Sequence, residues 1–556
     1  MKRVVSILLA LCLLLCCAPV ETVGRAYLRQ PGCVHGQTAF CHMELAYPDP
    51  EEVLSELDAL IQAEDRPEKE QIKAFEGLRQ AYAQLVGAAS LAYVRYCQDV
   101  TNEERAAEYG KLNGALYAVQ NRLIEAEQRL MDRYGYHRER GEAYRQSLEL
   151  ARKQSGPSMQ ALKAKEDELC QAYEQLTDTL SVEFEGRKWT FDSLMADESL
   201  PLSDFLAALE AYEKTRNQAA GQLFLELMSL RKAMAKELGF PSYAACQYAA
   251  FGRAYSPEQA REAAQTVKRV FVPLYADLRT ELENEAKYLA GAAFLEDEFL
   301  SKMGDAVERA VPGAGAAWAY MLAYGLYDSV PAAHKLQGSF TTYLSGYRCP
   351  FLFTRWNEDA ASAFTVIHEF GHFLSYYVNP MGTYYGGENL DLAEADAQGL
   401  ELLMAAEYDA IFGRYATAAR LCLLMNALYA VLTGFMEDEF QQRAYALKEP
   451  TVEQLNALYG KLAREYGFDR WFGYEGREWT GILHTFAFPF YYVSYGVSML
   501  GAAALMQGGR RAYGRLLHRK AGASLQEVLK ADVLSKPYIV DAAAYLRRTA
   551  EAWMNK

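Results

Sequence analysis

The feature that most constrains this 556-residue chain is the pentapeptide HEFGH at residues 368–372. It lies within ASAFTVIHEFGHFLSYY, whose apolar residues flank it on both sides and favour a buried helix. Residues four apart share one face of a helix, so His368 and His372 can reach the same metal ion. Glu369 then lies next to the open coordination position. The pattern predicts a buried helix that carries two metal ligands and one acid–base group.

A third metal ligand is expected from the segment that follows. A catalytic zinc takes three protein ligands and keeps a fourth position for water. The stretch ENLDLAEADAQGLELLM predicts a helix, on which Glu394 is the predicted ligand and Asp391 the alternative. Glu401 lies two turns from Glu394 on the same face, where it can support a histidine ligand by hydrogen bonding. The other acids of this helix are typical of a solvated face.

A third cluster, His484 to Tyr495, is dense in side chains that can donate a hydrogen bond. Such donors stabilise the anion that forms when water attacks a peptide carbonyl. Tyr491 and Tyr495 are four apart and share a helix face. An aromatic stripe at this spacing is also typical of a hydrophobic core, and it is the zinc motif that favours a functional interpretation.

Helical periodicity dominates the chain and predicts a mainly α fold arranged as two lobes. Two stretches depart from it. SVEFEGRKWTF, from Ser181 to Phe191, alternates as a short strand pair would, with a turn at Gly186. Gly338–Phe353 is rich in Thr, Tyr and Phe and predicts strands just before the metal motif. A sheet edge there could pair with an extended peptide, although a plain structural hairpin fits the pattern equally well.

The first residues predict a targeting leader over residues 1–24. Lys2 and Arg3 precede an apolar run that is long enough for a signal core and too short for a comfortable membrane span. The chain is therefore expected to be exported, with no stable membrane span after processing. Cys16 and Cys17 could carry a lipid anchor. Residues 25–180 are expected to form a helical amino-terminal lobe, and residues 181–556 the catalytic domain.

The cysteines allow one disulfide near the amino terminus, and the net charge argues against nucleic acid as a partner. Cys33 and Cys41 are separated by a short polar stretch that could close a disulfide loop in an oxidising compartment. The chain has 57 basic and 72 acidic residues, and its formal net charge of -15 would repel phosphate backbones. Nucleic acid is therefore not an expected partner.

Taken in order, these segments resemble the zinc metallopeptidases of the thimet oligopeptidase and oligoendopeptidase F family, most closely the oligoendopeptidase F branch. The resemblance runs from about Ser181 to the end of the chain. It rests on VEFEGRKWTFDSL, RKAMAKELGFPSY, KLQGSF followed by PFLFTRWN, HEFGH, Glu394 with Glu401, and His484 with PFY and Tyr495.

The resemblance implies a mostly helical, two-lobed body with a deep channel for short unstructured peptides and a small β-sheet beside the active-site helix. It implies one Zn²⁺ per chain held by His368, His372 and Glu394, with Glu369 as the general base. By the same likeness, His484, Tyr491 and Tyr495 would contact the substrate or the developing oxyanion. The residues Gly338, Ser339 and Phe340 would lie on the strand that pairs with the bound peptide.

The expected function is hydrolysis of internal bonds in short peptides. Two alternatives remain open from the sequence. A metallocarboxypeptidase or dipeptidase shares HExxH and a later Glu, and it would need a cation dedicated to the substrate carboxylate. An exported peptide-binding protein with a metal-stabilised fold is the other, although Glu369 argues against it because a structural site normally closes with four protein ligands.

Overall fold

The computed structural model describes residues 35–555 apart from 64–65, 138–140, 155, 198, 337, 380–388 and 521–522. The predicted leader, including Cys16 and Cys17, lies outside the described residues, and so does Cys33. The predictions of export, lipid attachment and a disulfide to Cys41 therefore stay predictions.

Five helices open the described chain. They are α1 (Pro50–Gln62), α2 (Glu68–Gln98), α3 (Glu103–Tyr134), α4 (Gly141–Gln154) and α5 (Pro157–Thr179), preceded by a single 3₁₀ turn at Phe40–His42. Asp49 caps α1 through the N–H of Glu51, and Asn102 caps α3 in the same way through Arg105. The first three helices bury their apolar stripes against one another and form a small core of their own.

A β-hairpin follows, as the alternating pattern predicts. Strands β1 (Ser181–Phe184) and β2 (Arg187–Thr190) pair antiparallel. Glu185 and Gly186 form the turn with φ of 52° and 74°, so both turn residues are left-handed, as a two-residue hairpin of right-handed twist requires.

A second group of helices follows the hairpin and contributes to the main core, except for its first helix, Phe191–Ala196, which packs with the hairpin in a smaller core. It comprises α6 (Phe191–Ala196), α7 (Leu202–Glu237), α8 (Tyr243–Ala250), α9 (Pro257–Leu289), α10 (Glu296–Ala310) and α11 (Ala314–Ala323). Helix α5, which precedes the predicted boundary at residue 180, packs against α7, and its Leu169 and Tyr173 also lie in the main core. The division of the chain at residue 180 stays a prediction.

Three strands lie just before the metal motif. β3 (Tyr327–Asp328), β4 (Phe340–Leu344) and β5 (Cys349–Phe353) form a sheet in the order β3-β5-β4, which leaves β4 at an edge. The predicted strands are thus confirmed, but Gly338 and Ser339 precede β4 and do not lie on it. The reason is intrinsic: glycine and serine pack poorly on a pleated sheet, and the strand begins at the first aromatic residue.

The remaining helices surround the metal motif. They are α12 (Ala360–Val378), α13 (Leu390–Met404), α14 (Tyr408–Phe412), α15 (Ala416–Ala446), α16 (Val452–Tyr466), α17 (Phe468–Phe472), α18 (Leu483–Ala487), α19 (Val493–Leu517), α20 (Leu525–Leu529) and α21 (Lys536–Met554), with 3₁₀ turns at Ala405–Glu407, Gly413–Tyr415 and Glu478–Gly481. Helix α13 packs between α12 and α19, and α15 packs against α9 and α19.

The fold class predicted from the sequence is confirmed. Helices account for 75% of the structure, and the sheets are small. Helix α12 packs against both β4 and β5, so the small sheet lies beside the helix that carries HEFGH. One helical stretch of the described chain, Leu390–Ala446, is long and apolar enough to cross a membrane, and 94% of its apolar window is buried inside the protein, which is what core helices also show.

Candidate metal centre

Helix α12 presents both histidines of the motif in the predicted way. Asp359 caps the helix by accepting a hydrogen bond from the N–H of Ser362 at 2.8 Å. The apolar neighbours of the motif, including Ile367 and Phe370, are fully buried and fix the helix rotation. The rings of His368 and His372 lie 5.0 Å apart, which leaves room for one ion between their nitrogens.

The third ligand position falls to Glu394. Candidate ligand atoms of His368, His372 and Glu394 all lie within 4.8 Å of one another, and His368 Nε2 is 3.6 Å from Glu394 Oε2. The alternative ligand, Asp391, is engaged elsewhere because it accepts the Tyr255 hydroxyl and lies 4.0 Å from Arg253. The geometry therefore favours Glu394 over Asp391.

Gly371 explains how the two ligand helices come so close. A Cβ atom placed on this glycine would lie 2.5 Å from the Cα of Ala397 in α13, and 3.1 Å from the carbonyl oxygen of Asp396. No other residue would fit without separating the helices. The glycine inside HEFGH is therefore a packing requirement of the three-ligand cluster.

Glu401 supports the first histidine, as its position two turns from Glu394 predicts. Its carboxylate is hydrogen bonded to His368 Nδ1. This contact directs the Nδ1–H of His368 at Glu401 and turns Nε2 towards Glu394, so that Nε2 is the nitrogen that would bind a metal ion. A carboxylate behind a histidine is a common way to orient a metal ligand and raise its basicity.

The three candidate ligands have strongly shifted pKa values. Burial disfavours the charged form of His368, but Glu401, Glu394 and Glu369 outweigh it and raise the pKa of His368 to about 9. Burial, with a smaller opposing effect of His368, raises the pKa of Glu394 to about 7. Burial, His368 and Arg519 hold the pKa of His372 well below its usual range. A cation held between these groups would take the place of the proton that the raised pKa keeps on His368.

The donor set fits a zinc ion. Two imidazole nitrogens and one carboxylate oxygen are the protein ligands of many catalytic zinc sites. Glu394 Oε2 is buried and has no hydrogen-bond partner within the described part of the chain. A buried carboxylate oxygen without a partner is costly, and a metal ion would satisfy it.

Glu369 is fully buried beside the candidate ligands and is contacted by a residue of the sheet. The hydroxyl of Thr341, on edge strand β4, lies 2.8 Å from Glu369 Oε2 and 2.9 Å from the Glu369 carbonyl oxygen. Thr341 is not among the site residues predicted from the sequence. The signal available was its position in the predicted strand, directly after Phe340.

His484 lies among aromatic rings, with Tyr491, Tyr492 and Tyr495 at ring distances of 5.2, 4.9 and 6.1 Å. It is fully buried, and neither ring nitrogen has a hydrogen-bond partner in the residues that the structure describes. Burial lowers the pKa of His484 to about 3, so the imidazole is neutral and offers one N–H. An unsatisfied buried donor is rare and fits a group that awaits a ligand.

The two tyrosines predicted to act with His484 have different surroundings. The hydroxyl of Tyr491 donates to Glu394 Oε1 at 2.7 Å, so in this structure it supports a candidate metal ligand. Tyr495 lies in the same small aromatic cluster and is 1% exposed. Roles for Tyr491 and Tyr495 at the substrate stay predictions.

The turn that carries Tyr491 is clamped from two sides. Phe490 has a φ of 64°, which is strained for an aromatic residue. Its N–H donates to Gln441 Oε1 at 2.7 Å, and its carbonyl oxygen accepts from Arg253 Nη2 at 2.6 Å. Arg231, the first residue of the segment RKAMAKELGFPSY, holds the preceding helix in a similar way. It is fully buried, donates to the carbonyl oxygen of Phe486 and forms an ion pair with Glu166 at 2.5 Å. Nothing local in the sequence indicates these clamps.

One further acid of α13, Asp396, was expected on a solvated face, and that expectation is wrong because Asp396 is fully buried. Asp396 accepts two hydrogen bonds from Arg519, at 2.7 and 2.9 Å, and a third from Ser375. Asp396 is buried because a basic partner from a distant segment neutralises it, which the sequence around α13 does not reveal.

Comparison with known proteins supports the resemblance seen in the motifs. No family model matches the chain. Oligopeptidase PepF of Bacillus subtilis (strain 168) is 26% identical over 291 residues, covering 48% of this chain and 40% of that protein. The match thus spans about two fifths of the length of this curated relative.

Solved structures match over nearly the whole chain. PZ peptidase A, solved with an inhibitor, has a TM-score of 0.77 at 19% identity and covers 92% of this chain and 99% of its own. A protein of Bacillus anthracis str. Ames, provisionally assigned as an oligoendopeptidase F, has a TM-score of 0.74 at 20% identity, covering 94% and 98%. A Pyrococcus furiosus carboxypeptidase is more distant, with a TM-score of 0.51 at 13% identity, covering 92% and 100%. The chain therefore has the fold of the oligoendopeptidase F structures, and the resemblance to the oligoendopeptidase F family that its motifs indicate is confirmed.

Proposed function

We propose that this chain is a zinc-dependent endopeptidase that hydrolyses internal bonds of short unstructured peptides. The observation that carries the proposal is the convergence of His368, His372 and Glu394 beside the buried Glu369. Three ligands with an adjacent acid–base group are the requirements of metal-assisted hydrolysis. The similarity to an oligopeptidase and the peptidase folds among the solved structures support the same reaction class.

The roles of the residues follow from their positions. A zinc ion in this site would supply Lewis-acid polarisation and lower the pKa of a water molecule. Glu369 accepts the proton of the attacking water and passes it to the leaving amine, as general base and then general acid. His484, buried with unsatisfied nitrogens, donates its N–H to the oxygen on which negative charge develops. Glu401 and Tyr491 hold His368 and Glu394 in place.

An endopeptidase and a carboxypeptidase differ in what the nearby cations must do. A carboxypeptidase needs a cation for the substrate carboxylate. Arg519 is already committed, because it binds Asp396 with two hydrogen bonds. Arg253 lies beside Asp391 and donates through Nη2 to the Phe490 carbonyl and to Ser494, whereas its Nε and Nη1 have no hydrogen-bond partner among the described residues. The products of cleavage therefore decide between the two reactions.

The experiment that tests the proposal uses the purified full chain and a quenched-fluorescence peptide of about ten residues, with products mapped by mass spectrometry. Internal cleavage that a chelator abolishes and zinc restores is the expected result. Stepwise release of terminal residues would favour the carboxypeptidase. Zinc binding without cleavage of any peptide in a diverse set would refute the enzyme and favour a peptide-binding protein.

We further propose that the mature chain is exported. Support comes from the positive start and the apolar run of the predicted leader at residues 1–24. Fractionation of cells that produce the full chain, with mass spectrometry of its amino terminus, tests this. A cytosolic protein that retains its first residues would contradict it.

A further inference from the structure

Thr341 lies where the open edge of the sheet meets the acid–base group. Its hydroxyl is within hydrogen-bond distance of both Glu369 Oε2 and the Glu369 carbonyl oxygen, at 2.8 and 2.9 Å. Glu369 is fully buried, and its long side chain has several staggered rotamers. A hydrogen bond to the carboxylate from a rigid strand restricts those rotamers.

The register of the sheet shows which way the backbone of Thr341 faces. Thr341 is opposite Leu352 on the central strand β5. The N–H of Leu352 donates to the carbonyl of Leu326, on the β3 side of the sheet. In an antiparallel pair, two opposite residues either exchange both of their backbone hydrogen bonds or both direct their N–H and C=O groups away from each other. Thr341 therefore directs its N–H and C=O away from β5, towards the open edge. Tyr343 opposite Pro350 has the same orientation, in keeping with the missing N–H of proline.

We propose that Thr341 is a positioning residue for hydrolysis, whose hydroxyl fixes the Glu369 carboxylate beside the sheet edge at which an extended peptide would pair. The inference rests on the proposed peptidase function. An extended peptide on this edge would place its backbone next to Thr341, and the same residue would hold the acid–base group in register with it. Catalysis depends on such placement, because a displacement of about 1 Å can cost about a hundredfold in rate.

The test compares two substitutions that differ only in position. Thr341→Val keeps the shape of the side chain and the backbone edge but removes the hydroxyl. Thr342→Val is the matched control, because Thr342 is 1% exposed, its hydroxyl has no partner among the described residues, and its backbone faces β5. Thr341→Ser retains the hydroxyl and serves as the conservative rescue.

The expected result is a fall of kcat in Thr341→Val by about ten- to a hundredfold, with KM and zinc content unchanged. Thr341→Ser should recover most of kcat, and Thr342→Val should match the parent chain. Equal kcat in Thr341→Val and the parent would overturn the proposal. Equal losses in all three variants, together with lowered thermal stability, would also overturn it, because they would indicate a structural role.

A second measurement does not depend on turnover. A crystal structure of zinc-loaded Thr341→Val should show the Glu369 carboxylate in a rotamer different from that of the parent, or spread over several. An unchanged single rotamer would overturn the positioning role. If the parent chain cleaves no peptide, the proposed function fails, and this structural comparison still decides whether Thr341 holds Glu369.

Discussion

A buried glutamate in α15 is expected to set an upper pH limit on stability. Glu437 is 1% exposed, one of its carboxylate oxygens accepts the Tyr459 hydroxyl, and the other has no partner within the described chain. Burial raises the pKa of Glu437 from 4.5 to about 8, against the smaller opposing effect of the Tyr459 hydrogen bond. The folded chain therefore keeps a proton that the unfolded chain releases at lower pH.

The sign and size of the effect follow from this difference. Below about pH 4.5 both states carry the proton, and stability contributed by the neutral acid is fully present. Between about 4.5 and about 8 the folded state binds more protons, so stability falls as pH rises. The full difference corresponds to roughly 5 kcal/mol. Glu437→Gln carries an uncharged amide of the same size, so its free energy of unfolding should not fall in this way as the pH rises.

Thermal unfolding at pH 5, 6, 7 and 8 measures the effect. We expect Glu437→Gln to match the parent chain near pH 5 and to exceed its Tm increasingly towards pH 8, by about 4 °C for a chain of this length. Glu449→Gln is the control, because Glu449 is exposed just beyond the end of the same helix. A difference between Glu437→Gln and the parent that stays constant across this pH range would refute the reasoning.

Three further predictions concern the metal centre. Glu369→Gln should bind zinc as the parent does but cleave peptides about 10²- to 10⁴-fold more slowly in the fluorescence assay; an unchanged rate would exclude Glu369 as the base. Tyr491→Phe removes the donor to Glu394 and should weaken zinc binding about tenfold in competition with a chromophoric chelator; equal affinity would show that this hydrogen bond does not support the ligand. Gln441→Leu leaves the buried N–H of Phe490 without its acceptor and should cost about 1–3 kcal/mol in unfolding experiments. It should also reduce cleavage at unchanged zinc content, whereas full activity would show that the Phe490 turn needs no clamp.

Local sequence was sufficient where the relevant spacing is short. HEFGH fixes two imidazoles on one helix face whatever the rest of the chain does, because the helix period decides it. Glu394 and Glu401 are related in the same way, seven residues apart on α13, and their contacts to Tyr491 and His368 follow that geometry. The hairpin at Glu185 and Gly186 is likewise determined locally, because its two-residue turn needs positive φ angles and glycine adopts them readily.

Long-range contacts were not predictable from the sequence. The pairing of Asp396 with Arg519 spans 123 residues, and that of Phe490 with Arg253 spans 237. Each acid or carbonyl has many possible partners in the sequence, and only the packing of the helices selects one. For this reason the sequence suggested a solvated position for Asp396, whereas the structure buries it.

By itself, the sequence determined the helical class, the two short sheets and the identity of the candidate ligands, because these depend on residue type and on periods of two and 3.6 residues. Only the tertiary structure decided that Glu394 and not Asp391 joins the histidines, and that Thr341 reaches Glu369 from the sheet edge. Those choices depend on how separate helices and strands approach one another. Close contacts such as that of Gly371 with Ala397 set that approach to within a few tenths of an ångström, and side-chain pairing across the centre follows from it.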